Sequence, residues 1–193
     1  MGYTRAELEA CRGKGVPDLV GPDMRLLFVG INPGLWTAAA QAHFAKPGNR
    51  FYPALFAAGL SSRLIAPSAG LDPVDESDLV RRGIGVSNLV NKATVRADEL
   101  STAQLRGGAA NLQKKVARWK PEVVVMLGVT AYRVAFDRPR ARQGWQAETL
   151  GGSELMVAGN PSGLNAHETV ASLAETFREA AARAGIVTTT APA

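Results

Sequence analysis

Three short runs of apolar residues stand out along the chain, and each of them ends in glycine. They cover residues 25–30, 123–128 and 155–159. Apolar residues that continue along a strand, rather than alternating with polar ones, are typical of strands buried on both faces of a parallel sheet. A weaker run at residues 83–90 predicts a fourth strand. The hydrophobic pattern therefore predicts a central, mostly parallel sheet.

Amphipathic stretches separate these runs and predict helices. Thr4 and Ser101 stand where N-caps are expected, at the start of the first and the longest of these stretches. Gly107 and Gly108 should delay the regular part of the longest helix. Strands that alternate with helices indicate an α/β domain. The predicted helices are residues 4–12, 50–58, 101–119, 130–136 and 168–184.

Length and charge indicate the number of domains, the compartment and the kind of partner. The 193 residues suit one domain over residues 1–193, with a frayed tail expected at 187–193. No run approaches the ~18 consecutive apolar residues that span a membrane. The N-terminus lacks the features of a secretory signal, so the cytoplasm is the expected compartment. The net charge of +5 favours nucleic acid or another polyanion as partner.

Few residues could bind a metal. Cys11 is the only cysteine, and His43 and His167 are the only histidines. This count excludes zinc sites built on several thiolates, iron–sulfur clusters with four cysteine ligands, and sites with three histidines.

Two loops that follow predicted strands begin with nearly the same residues. Gly-Ile-Asn-Pro-Gly covers residues 30–34, and Gly-Asn-Pro-Ser-Gly covers residues 159–163. Asn-Pro is a common turn dipeptide, so both loops could be ordinary turns. Ligands, however, bind at the carboxyl ends of strands in open α/β sheets. An asparagine amide there can orient a water molecule or bind the edge of a planar ligand, but it is not a strong base.

A third loop carries an aromatic residue among basic ones. Phe44 lies near His43, Lys46 and Arg50. Bases stack on exposed aromatic rings while basic groups bind phosphate, which favours nucleic acid. Alternatively, Phe44 anchors its loop to the core. The basic cluster at residues 114–120 is expected to be a solvated helix face rather than a DNA-binding patch.

These motifs resemble those of the mismatch-specific uracil-DNA glycosylase and thymine-DNA glycosylase family. The matching segments keep the family's order and spacing, and the resemblance runs from about residue 25 to residue 178, within an expected core of residues 25–184. They are residues 30–35, 47–51, 85–90, 92–101 and 160–164. The resemblance implies a three-layer α/β/α sandwich with a central, mostly parallel sheet. It also implies a monomeric enzyme, without metal or cofactor, that hydrolyses the N-glycosidic bond of uracil in duplex DNA.

The resemblance also assigns roles to individual residues. Asn32 would hold the attacking water, and Phe44 would stack on a base flipped out of the duplex. The Ile31 backbone and Asn160 would bind the base edge, and Asn88 would add base or water contacts. Thr37 would lie against C5 of the base and exclude thymine, unless it only caps the following turn.

The wedge that fills the gap in the duplex, and contacts the guanine opposite, would come from the second Asn-Pro loop. Relatives tend to have arginine near its end, where this chain has Asn165-Ala166-His167. His167 could stand in for that arginine. The residues assigned to DNA contact are Ser162, Gly163, Leu164, Asn165 and His167.

Two other functions stay open on the sequence. A non-catalytic binder of damaged DNA would use the same pocket, although it would not need Asn32 beside Phe44. A hydrolase of free nucleosides or nucleotides would not need the wedge.

Overall fold

The structure is a computed structural model, and it describes residues 2–188. The end of the predicted tail, residues 189–193, lies outside the described residues. The strands are β1 (Leu26–Gly30), β2 (Ile84–Asn88), β3 (Val123–Leu127), β4 (Gly144–Leu150) and β5 (Ser153–Ala158). The helices are α1 (Arg5–Glu9), α2 (Leu35–Ala40), α3 (Phe51–Ala57), α4 (Pro73–Arg81), α5 (Thr102–Trp119), α6 (Val129–Ala135) and α7 (Val170–Arg183).

The strands form one sheet in the order β2-β1-β3-β5-β4. β2, β1, β3 and β5 run parallel, whereas β4 pairs antiparallel with β5 along the edge. The register places Gly30 beside Asn88 and Leu127 beside Ala158. The carboxyl ends of the parallel strands therefore meet along one edge of the sheet.

Alternate residues of each central strand enter different cores. Phe28 and Val125 pack with α3 and α7 on one face, whereas Val29 and Val124 pack with α5 and α6 on the other. Phe28 lies at the centre of the first core, 4.7 Å from Phe177 between ring centroids. Because both faces are covered by helices, these strands need apolar residues at every position. The predicted three-layer α/β/α sandwich is confirmed.

Several boundaries differ from the predictions. α1 has the expected capping box between Thr4 and Glu7, but it ends at Glu9. α5 begins at Thr102 and runs through both glycines without delay. A Cβ on Gly108 would lie 2.4 Å from the carbonyl oxygen of Leu89, so a glycine lets the helix approach this backbone.

The helices α2 and α4 and the edge strand β4 were not predicted. The N-cap of α2 is Gly34, which has no side chain to cap the helix. α4 carries few apolar residues, although Asp72 caps it and Pro73 opens it. β4 alternates half-buried and exposed residues as an antiparallel edge strand does, so it has no continuous apolar run. Within residues 2–188, no helix is both long and apolar enough to cross a membrane.

Candidate active site

A cleft of about 780 Å³ opens where the parallel strands end. Along the sheet, the chain passes from β1 to β2 on one side and then to β3 on the other, and ligand sites in open α/β sheets form at such reversals. The volume is in the range of small-molecule and nucleotide pockets. Every sequence-predicted site residue except Gly163 lines this cleft: Ile31, Asn32, Thr37, Phe44, Asn88, Asn160, Ser162, Leu164, Asn165 and His167.

The orientation of the Asn32 amide is determined by its neighbours. Its Nδ2 donates to the Thr94 hydroxyl at 2.7 Å and to the Lys92 carbonyl at 2.9 Å. The Thr94 hydroxyl uses its own proton to bond the Arg96 carbonyl at 2.7 Å, so it can only accept from Asn32. Among residues 2–188, Oδ1 of Asn32 has no hydrogen-bond partner. The amide therefore offers the cleft an acceptor, which is the group needed to hold a water.

Asn88 is oriented in a similar way by His43. His43 is buried, with Nε2 2.9 Å from the Pro17 carbonyl and Nδ1 3.2 Å from Nδ2 of Asn88. A carbonyl only accepts, so Nε2 carries the proton and Nδ1 accepts from Asn88. Burial lowers the pKa of His43, which favours the neutral ring. Oδ1 of Asn88 has no partner in the described chain and lies beside Gly30, which has no side chain to displace it.

Phe44 is held in a left-handed backbone conformation with φ of 55°. Its ring stacks on Phe51, with centroids 4.1 Å apart and planes 28° from parallel. A Cβ on Gly30 would lie 3.0 Å from Cζ of Phe44, so the ring also covers the end of β1. Phe44 thus anchors its loop to the core, as one interpretation expected, and it also lines the cleft.

The loop of residues 160–165, which we call the wedge loop, is held by hydrogen bonds. Oδ1 of Asn160 accepts from the backbone of Ser162 at 2.9 Å, and this leaves Nδ2 of Asn160 without a partner in the described residues. The guanidinium of Arg50 donates to the carbonyls of Ser162 and Asn165 at 2.9 and 3.0 Å. A Cβ on Gly163 would lie 2.7 Å from the Gly48 carbonyl oxygen, so the two loops touch there.

The tip of this loop is apolar and open to solvent. Leu164 is 82% exposed, which is unusual for a large hydrophobic residue on a well-braced loop. Both polar atoms of the Asn165 amide form local hydrogen bonds. Nδ2 donates to the Asn160 carbonyl, and Oδ1 accepts from the His167 backbone. His167 is exposed at the rim of the cleft.

Ile31 and Thr37 lie on the inner wall. The Ile31 carbonyl accepts from the Val90 backbone at 2.9 Å, and its side chain contacts Gly128. Thr37 is buried at the third position of α2, and the N-cap of that helix is Gly34. The alternative in which Thr37 caps a turn after it is therefore wrong, because the helix has already begun two residues earlier.

Charged groups lie at the mouth rather than the floor of the cleft. Lys46 and Arg96 are exposed there. Asp98 is the only carboxylate among the described lining residues, and it pairs with Arg96 at 2.5 Å while remaining 62% exposed. It is thus poorly placed to be a buried general base. Residues 2–188 contain no group of three or more side chains that could hold a metal.

The structure adds functional candidates that the sequence did not indicate. Thr94 was noted only as part of a segment that resembles the family, and its contact with Asn32 spans 62 positions. Gln143 lines the cleft and donates to Glu168 at 3.0 Å, but it immediately precedes the unpredicted strand β4. No local sequence signal marks either contact.

Comparison with known proteins identifies the family of the chain and a similar fold. The family model described as "Uracil DNA glycosylase superfamily" matches residues 17–183. The fold is also similar to the solution NMR structure of a Methanosarcina acetivorans protein provisionally described as a uracil DNA glycosylase, with a TM-score of 0.57 and 15% identity. That match covers 86% of this chain and 97% of the other chain. The chain belongs to the uracil DNA glycosylase superfamily.

Proposed function

We propose that this protein is a DNA repair enzyme that releases uracil from duplex DNA, with a preference for uracil opposite guanine, and leaves an abasic site. The observation that carries the proposal is the Asn32 amide, whose nitrogen is bonded by Thr94 and Lys92 so that its oxygen is available to a water. Membership in the superfamily supports the general reaction. The mismatch preference rests on the motif resemblance.

In the proposed reaction, the C1′–N1 bond breaks and its electron pair leaves with the uracil. The oxygen of the water held by Asn32 bonds to C1′, and the water loses a proton as the uracil anion gains one. Since the sugar is already cation-like in the transition state, an amide that orients the water is sufficient and no strong base is needed. Nδ2 of Asn160 is available to donate to a uracil oxygen as negative charge develops there.

The Asn88 acceptor supports the choice of uracil over cytosine. Uracil carries a proton on N3, whereas cytosine has an unprotonated acceptor at N3. An amide oxygen aimed at that position would bind the first and repel the second. His43 keeps the oxygen exposed because its neutral ring engages the nitrogen of the same amide.

The wedge loop supports duplex DNA as the substrate. Base removal from a duplex requires the nucleotide to be flipped out, which costs a few kcal/mol in lost stacking and pairing. An apolar side chain that enters the gap offsets part of that cost. Leu164 is exposed, apolar and carried on a loop braced by Arg50. A hydrolase of free nucleosides would have no use for it.

One substrate panel tests the proposal. Purified protein is incubated with duplexes that carry uracil opposite guanine, uracil opposite adenine or thymine opposite guanine, and also with single-stranded uracil DNA and free deoxyuridine. Abasic sites are detected by alkaline cleavage. We expect release from the uracil duplexes, fastest opposite guanine, and none from deoxyuridine. Binding without release would favour a damage-binding protein, and release from deoxyuridine would favour a nucleoside hydrolase.

A further inference from the structure

The N-terminal segment, residues 2–16, lies outside the part of the chain that matches the superfamily, yet it is docked on the protein. Val16 is buried in a small core with Ala38 and Ala93. Near the start of the segment, the ring of Tyr3 packs edge-on against Trp36, with centroids 5.1 Å apart. The segment therefore has fixed partners in the part of the chain that forms the cleft.

The main hydrogen-bond partner of the N-terminal segment is the stretch of residues 91–94. The Gly13 backbone donates to the Ala93 carbonyl at 2.8 Å, and the Ala93 backbone donates to Lys14 at 2.9 Å. The side chain of Asn91 bonds both backbone groups of Val16, accepting at 2.8 Å and donating at 3.0 Å. Two backbone and two side-chain hydrogen bonds thus join these short stretches.

The other side of residues 91–94 faces the first Asn-Pro loop. The Lys92 carbonyl and the Thr94 hydroxyl accept from the amide of Asn32, and the Thr94 backbone donates to the Pro33 carbonyl at 3.2 Å. Residues 91–94 belong to no strand or helix, although Thr94 forms an isolated parallel β-bridge with Gly34 in the Asn32 loop. They lie between the N-terminal segment and the Asn32 loop.

We propose that the N-terminal segment is a positioning element, which holds residues 91–94 in place and thereby keeps the amide of Asn32 aimed for water binding. The kinetic consequence rests on the proposed function. If the Lys92 carbonyl and Thr94 hydroxyl shift, the amide can rotate and its oxygen no longer points into the cleft. Small misplacements of reacting groups carry large rate penalties, up to about 100-fold for 1 Å.

The substitution Asn91→Ala tests this by removing both side-chain bonds to Val16. We expect the single-turnover rate on a uracil duplex to fall by about tenfold, with unchanged affinity for abasic-site DNA. Arg12→Ala is the matched control, since it removes an exposed ion pair between the same segment and Glu99 and should leave the rate unchanged.

A double-variant comparison separates positioning from general damage. In an Asn32→Ala background there is no amide to orient, so adding Asn91→Ala should cause no further loss of rate. A duplex carrying 5-fluorouracil, a better leaving group, keeps the residual rate measurable. A further tenfold loss in that background would show that Asn91 acts on the fold or on the pocket as a whole, and would overturn the proposal.

An NMR measurement tests the positioning role of the N-terminal segment independently of activity. If the protein released no uracil, only the proposed function would fail, and the NMR test would still apply. In the wild type, the side-chain NH₂ signals of Asn32 should be shifted and slow to exchange with solvent. Asn91→Ala should move them toward free-amide positions and speed their exchange. If that variant does not fold, Gly15→Ala replaces it, since the new Cβ would lie 2.8 Å from the Asn91 amide and displace it. Unchanged Asn32 signals would refute the proposal.

Discussion

The buried ring of His43 and the amide of Asn88 are joined by a hydrogen bond of 3.2 Å between Nδ1 and Nδ2. The opposite ring nitrogen lies 2.9 Å from the Pro17 carbonyl, which only a protonated nitrogen can approach. The neutral ring therefore determines which end of the Asn88 amide faces the cleft. Protonation of Nδ1 would place two donors against each other and break this arrangement.

This arrangement predicts how stability depends on pH. Burial lowers the pKa of His43 from its ordinary value of 6.5, with Asp18 opposing the shift and Lys115 adding to it. Below pH 6.5 the unfolded chain gains a proton that the folded chain resists, so the free energy of unfolding falls as the pH falls. We expect the Tm advantage of wild type over His43→Phe to be larger at pH 7.5 than at pH 5.5. Parallel Tm curves for the two proteins would contradict this.

Thr94→Val should slow uracil release by roughly tenfold or more, because the amide of Asn32 loses the shortest of the hydrogen bonds that fix its orientation. Valine has nearly the same shape, so packing at this buried position is kept. Thr94→Ser is the matched control, since it keeps the hydroxyl and should keep most of the rate. Single-turnover kinetics on a uracil duplex make the comparison, and equal rates for the valine and serine variants would remove Thr94 from the mechanism.

Leu164→Ala should weaken excision from duplex DNA by roughly tenfold, about 1.4 kcal/mol, and leave excision from single strands nearly unchanged. The side chain matters only where a stacked gap must be held open. Val95→Ala serves as control, because Val95 is also apolar, exposed and on the rim of the cleft but lies outside the wedge loop. Comparable losses on duplex and single-stranded substrates would assign Leu164 to the pocket instead.

Thr37→Ala should raise the rate on thymine opposite guanine by roughly 10- to 200-fold while sparing uracil, since the β-branched side chain would no longer crowd the C5 methyl group. Thr37→Val keeps that bulk and should keep thymine excluded. Rates for both bases are measured in parallel for the three proteins. An unchanged ratio of uracil to thymine release in Thr37→Ala would show that another residue excludes thymine.

The parts of the fold that could be predicted are those for which local sequence and tertiary burial agree. β1, β3 and β5 are covered by helices on both faces, so each has a continuous apolar run. β4 forms the edge and α4 is mostly polar, so neither presents such a run, although Asp72-Pro73 is a helix-start signal that could have indicated α4.

The candidate site likewise has features that the sequence predicts and features that it does not. Asn32 and Asn160 each lie two residues beyond the end of a parallel strand, so topology alone predicts that they share a cleft. The orientation of each amide depends on partners far away in sequence, such as Thr94 for Asn32 and His43 for Asn88. These contacts exist only after the chain has folded, and no local pattern encodes them.

One comparison tests most directly whether the amide of Asn32 holds and orients the water that attacks during release of uracil. Wild type and Asn32→Ala are each measured for single-turnover release from a duplex with uracil opposite guanine, and for affinity toward the matching abasic duplex. We expect the variant to lose about 100-fold or more in rate and to keep its affinity, because the amide acts in the transition state and not on the DNA backbone. A variant that releases uracil at the wild-type rate would contradict this role of Asn32.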